Sequence, residues 1–131
     1  MCNKNPEISV VAYENNWERN GVVKIFSGSV DGRQVLDSVI SVEADKRFDS
    51  VRYVINDFSN VVDIDINERD IIRIAAMDRG ASVTNPNIRI AVVTNDNRMR
   101  DLVQRYGKLM KDSPYQALLF ESINEAREWA C

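Results

Sequence analysis

The sequence predicts a single α/β domain on a mixed, mostly parallel sheet, with elements in the order β-β-α-β-α-β-α-β-α. Three observations predict it. Short runs rich in Val, Ile, Tyr and Phe alternate with stretches of helical period, the pattern of βαβ units. The first two runs flank Asn20-Gly21, a hairpin dipeptide, which adds one antiparallel strand. The chain has 131 residues, 44% hydrophobic and 28% charged, which suits one globular domain with a sizeable core rather than disorder.

"EISVVAY" (7–13) and "GVVKIFSG" (21–28) read as the opening strands, joined by "ENNWERN". In the second, Val22, Lys24 and Phe26 alternate against Val23 and Ile25. Residues 29–44 read as a helix with Val35, Leu36, Val39 and Ile40 on one face, and Ser27 and Ser29 are both candidate caps. "VRYVINDF" (51–58) is a strand apolar enough to be covered on both faces. Residues 67–79 form a helix with Ile71, Ile72, Ala75 and Ala76 inward and Gly80 as its stop. "IRIAVVT" (88–94) is a second buried strand. In helix 97–111, Met99, Leu102, Val103, Tyr106, Leu109 and Met110 keep an i, i+3, i+4, i+7 stripe, with the Tyr106 hydroxyl at its margin. "YQALLF" (115–120) is the last strand. Ser122 and Glu125 open the last helix at capping-box spacing.

Composition removes several function classes. The net charge of -3 gives no basic surplus for nucleic acid. The chain has no histidine, which excludes histidine triads and most catalytic zinc sites. Cys2 and Cys131 stand at opposite ends with no metal-ligand spacing, and read as a reduced pair. No apolar run approaches a membrane span, and "MCNKNPE" has no apolar signal core, so the expected location is the cytoplasm. No phosphate-binding, dinucleotide or nucleophile-elbow motif appears, and no cofactor is expected.

A glycine closing the second strand, the apolar strand entering Asp57-x-Ser59, "RIAVVT", and the ending "LLFESINEAREWA" with Glu125, Ala126 and Trp129 form an ordered set. In that order, over roughly residues 7–130, the chain resembles the stand-alone SpoIIAA-like proteins of the STAS superfamily of sulphate-transporter and anti-sigma-factor-antagonist domains. The resemblance implies a mixed sheet of four or five strands packed by about four helices, and a non-catalytic role in binding partner proteins. The antagonists carry a phosphorylatable serine in an Asp-Ser-Ser-Gly motif. That motif falls on Asp65 to Glu68, where only the Asp is kept, so the phosphoswitch does not carry over. The architectural likeness to Sec14-type domains implies a small apolar ligand or lipid as an alternative.

The stretch "NDFSNVVDIDINERD" (56–70) concentrates the polar candidates. Read as an EF-hand from Asp63, it lacks the glycine at position 6 and the acid at position 12, so no metal is expected. Asp63 and Asp65 point the same way if extended, which leaves a carboxylate-based enzyme as a third reading, although no cleft-forming motif accompanies them. Asn67 and Asp70 read as a helix cap, with Ile66 and Ile71 at hydrophobic-staple positions. Asp57, Ser59, Asp63, Asp65 and Asn67, with Thr94, Asn95 and Asp96 after the next strand, are the candidate loop residues facing a partner or ligand, at the strand ends where open α/β sheets place their sites. Arg98, Arg105 and Lys108 mark a basic helix face. Trp17 lies in the first hairpin loop, as a contact or a cover for the sheet edge, and Trp129 reads as core or a dimer contact. The leading expectation is a regulatory protein-interaction module with an unidentified protein partner; a homodimer is compatible with it. A cavity lined by residues such as Ile71, Ala75, Met99 and Tyr106 would instead mark a ligand carrier.

Overall fold

The computed structural model describes residues 13–131. The strand read over residues 7–13 lies outside them except for Tyr13, as does Cys2. The first described strand, β1, is Tyr13–Glu18, a stretch the sequence reads as a connecting loop. It pairs antiparallel with β2, Gly21–Asp31, from Tyr13 opposite Phe26 to Glu18 opposite Gly21. Its alternation is real but carried by asparagines: Tyr13, Asn15 and Trp17 are half-buried, and Glu14 and Asn16 are exposed. Trp17 therefore sits on a strand rather than in a loop, against the core, with the Arg47 guanidinium 3.9 Å from its ring centroid.

Gly28, read as the end of β2, is instead a bulge inside it. Its φ of 68° suits glycine alone, and the register slips there against the next strand. β2 continues to Asp31, whose side chain caps α1, Gly32–Glu43, in a capping box with Gln34; neither Ser27 nor Ser29 does so. The buried face of α1 is Ser38, Val39 and Val42, and Ile40 is exposed.

β3 runs from Tyr53 to Asp65, well beyond the expected end at residue 58. α2, Glu68–Thr84, starts as its sequence predicts: Asn67 accepts from Asp70 N, and Asp70 accepts from Asn67 N. It passes through Gly80 and stops at Asn85, which Pro86 holds extended. Its inward residues are Ile71, Ile74, Ala75, Asp78 and Ser82, while Ile72 and Ala76 face out. The remaining elements are β4 (Arg89–Val93), α3 (Asn97–Leu109), β5 (Gln116–Phe120) and α4 (Ile123–Ala130), the last capped by Ser122.

The five strands lie in sequence order, β1 antiparallel and the rest parallel. Each crossover advances one strand in the same direction, so right-handed connections place α1, α2 and α3 side by side on one face. α4 covers the other face over β3, β4 and β5. On the three-helix side, Phe26 and Phe58 stack with centroids 4.4 Å apart. Asn85 is the buried knot of that layer: its Nδ2 donates to the Phe48 and Val51 carbonyls, and its own carbonyl accepts from the Tyr115 hydroxyl.

Candidate functional site

β3 last pairs with β4 at Asp57, opposite Val93, and then runs eight residues further to Asp65. Over that overhang it pairs, among the described residues, with β2 alone, and its other edge carries none of the described strands. The sequence candidates from 57 to 65 are thus strand residues rather than a loop. Each has a traceable local state. The Asp57 carboxylate accepts from the Ser59 backbone N–H at 2.9 Å and from the Ser59 hydroxyl, where the ladder bulges between Asp57 and Asn60. That pair is explained by local backbone satisfaction. Asp63 is exposed and lies 3.8 Å from Arg98. Asp65 is exposed and stands directly across the ladder from Asp31, whose carboxylate caps α1. Val62, between the acids, is 79% exposed. Asn67 is occupied as a helix cap.

The loop after β4 is also built from caps. Thr94 is buried, and its hydroxyl accepts from Asp96 N. Asp96 caps α3 and is held down to about 2 by the Arg98 guanidinium. Asn95 is exposed beside them. The basic face of α3 is largely matched: Arg98 pairs with Asp96, Arg100 with Glu121, and Arg105 with Glu68. Lys108 is exposed and makes no ion pair among the described residues. What remains outward at this end of the sheet is the β3 overhang, with Val62, Asp63 and Asp65.

A second constellation lies inside. Between the sheet and the three-helix layer is a cavity of about 100 Å³. Its walls are mainly apolar, including Val54, Ile71, Val92, Met99 and Leu102, and Ala75 is not among them. Lys24, Glu43, Asp78 and Tyr106 also line it. Lys24 is 3% exposed and donates to Ser38 Oγ at 3.2 Å. The Tyr106 hydroxyl is inside, not at the margin of its stripe, and donates to Asp78 Oδ2 at 2.6 Å. Burial pulls the Lys24 ammonium down to about 8, against the opposing pull of Asp78 and Glu43. Burial, then the hydrogen bond and charge of Asp78, push the Glu43 carboxyl up to about 9, so it keeps its proton at neutral pH. Burial likewise holds Tyr106 protonated as a donor.

Sequence reasoning missed Lys24, Glu43 and Asp78. Two signals were present: Lys24 falls on the same strand face as Val22 and Phe26, and Asp78 stands four and seven residues after Ile74 and Ile71 on the inward stripe of α2. Among the described residues, no three Cys, Asp or Glu side chains converge as metal ligands. Nor is any helix among them long and apolar enough to cross a membrane.

An α/β domain of this order, three described helices on one face and one on the other, has the fold of SpoIIAA. The structure of the anti-sigma factor antagonist SpoIIAA in its unphosphorylated form matches with a TM-score of 0.60 at 13% identity, over 89% of this chain and 94% of that one. An uncharacterised protein of the DUF3478 family with a SpoIIAA-like fold, from Shewanella loihica PV-4, matches with a TM-score of 0.49 at 12% identity, over 92% of this chain and 93% of that one. No protein-family model and no curated protein matches the sequence. At 13% identity the first likeness shows the fold and nothing finer.

Proposed function

We propose that this protein is a non-catalytic regulatory module that binds a partner protein through the overhanging end of β3. The observation that supports this most is the overhang itself. Eight residues of β3 run on beyond β4, paired with β2 on one side and with no described strand on the other, and carry an exposed valine and two exposed carboxylates. A bare edge offers main-chain hydrogen bonds to an extended segment, and flanking side chains give such a contact its specificity. The exposed carboxylates of Asp63 and Asp65 suit a cationic partner segment. The fold supports the same reading by analogy, since its better-known member is an anti-sigma factor antagonist. Asp57, Ser59, Asn67, Thr94 and Asp96 act here as the frame that shapes the edge, with Asn95 beside it and Arg98 bordering it at Asp63; Arg105 is paired with Glu68, and Lys108 stands in the last turn of α3, away from the overhang.

The test is partner capture from the native cytoplasm by wild-type protein and by Asp63→Asn/Asp65→Asn. The same partner should be recovered at least about fivefold less with the double variant, the loss expected for about 1 kcal/mol. Equal recovery would remove the overhang from the proposal. A second reading, ligand binding in the core, is favoured by the cavity and its buried polar end.

A further inference from the structure

We infer that the cavity between the sheet and α1–α3 binds a small neutral molecule with one hydrogen-bond acceptor, of the ketone, ester or lactone class, its acceptor against Lys24. This rests on the second reading above and gives it a ligand class. Size sets the first limit. A cavity of about 100 Å³ is smaller than the roughly 150 Å³ that holds a benzene ring in another protein, so the ligand has about four to six non-hydrogen atoms.

The polar end sets the second limit. Lys24 brings three N–H donors and spends one on Ser38. Glu43 keeps its proton, but that O–H is spent on Asp78. Tyr106 is committed to Asp78. Lys24, 3% exposed, thus keeps two N–H donors with no side-chain partner among the described residues, and they call for an acceptor.

Charge sets the third limit. The Lys24 ammonium is balanced by the Asp78 carboxylate, and Glu43 is neutral. A carboxylate ligand would bury a net negative charge and an amine a net positive one, each costly away from water. A neutral carbonyl brings the acceptor without the charge. The walls formed by Val54, Ile71, Val92, Met99 and Leu102 take its alkyl part.

The experiment titrates the full chain, followed by methyl NMR of Met99 and Ile71, with four probes of similar size. These are butan-2-one, its hydrocarbon isostere 2-methylbut-1-ene, butyrate and sec-butylammonium. Butan-2-one is expected to shift the cavity methyls saturably and to bind at least about tenfold more tightly than the other three. Lys24→Met, or Lys24→Met/Asp78→Leu if the single variant does not fold, should bring ketone and alkene to equal affinity. Val92→Phe, which fills the space, should abolish both. If ketone and alkene bind the wild type equally, the cavity is a ligand site but the acceptor inference fails. Tighter binding of butyrate or of the amine overturns the charge argument. If no probe shifts the methyls, both the inference and the ligand reading fall.

Discussion

Lys24 shows how far a single position can depart from its pattern. Its strand is otherwise apolar on both faces, and the lysine keeps the alternation while carrying a charge into the core. It is tolerated because the charge of Asp78 on α2 favours the ammonium and Ser38 of α1 accepts one of its N–H groups. Removing one partner leaves the other charged and buried, so Lys24→Met should cost roughly 3–5 kcal/mol in urea unfolding, and Lys24→Met/Asp78→Leu should recover most of that loss. Glu43 gives a pH signature. Its carboxyl is raised from 4.5 to about 9, so its stabilisation is complete below pH 4.5 and is lost as pH climbs toward 9. Lys24, lowered from 10.5 to about 8, acts only above pH 8 and in the opposite direction. The chain has no histidine, so a fall in stability between about pH 5 and 8 should be visible and should shrink in Glu43→Gln. An unchanged slope would mean that Glu43 ionises in the core without cost. The charge pattern of these three residues could not be assigned from sequence, because each is polar by type and buried only through partners on other elements.

At the scale of the element, starts were legible and ends were not. The start of α2 follows from Asn67, Asp70 and the staple Ile66–Ile71, because caps are local chemistry. Its end was misread at Gly80, since a glycine stops a helix only where the chain turns left-handed, and Gly80 does not. Ser82 and Asn85 instead bury the last turn. Gly80 meets no neighbouring atom within 4 Å of an added Cβ, so Gly80→Ala should raise the urea midpoint, worth about 0.5–1 kcal/mol. Gly32 behaves oppositely. A Cβ there would stand 2.1 Å from the Asp70 carboxyl that caps α2, so Gly32→Ala should destabilise the fold by disturbing both helix starts. β3 was cut short because aspartates are poor strand formers, yet pairing with β2 carries it through them. The same tertiary override turned a loop full of asparagines into β1.

At the scale of the molecule, the alternation of strands and helices was enough to give the class and the order of elements. Which helices share a face followed once the strand order was known. The overhang was not readable in advance, because the length of β3 beyond β4 depends on where β4 begins and ends in register. The acids were noticed, but their state was not: Asp57 and Asp96 are spent on their own backbone, and Asp63 and Asp65 face outward. The overhang also fixes where a partner would lie. A photo-crosslinking amino acid placed at Val62 should join the partner in a lysate of the native cells. The same group at Met77, on the outer side of α2, should not. Crosslinking at Val62 that is lost with Asp63→Asn/Asp65→Asn is the expected result. Equal crosslinking from both positions, or from Met77 alone, would contradict a partner site on the end of β3.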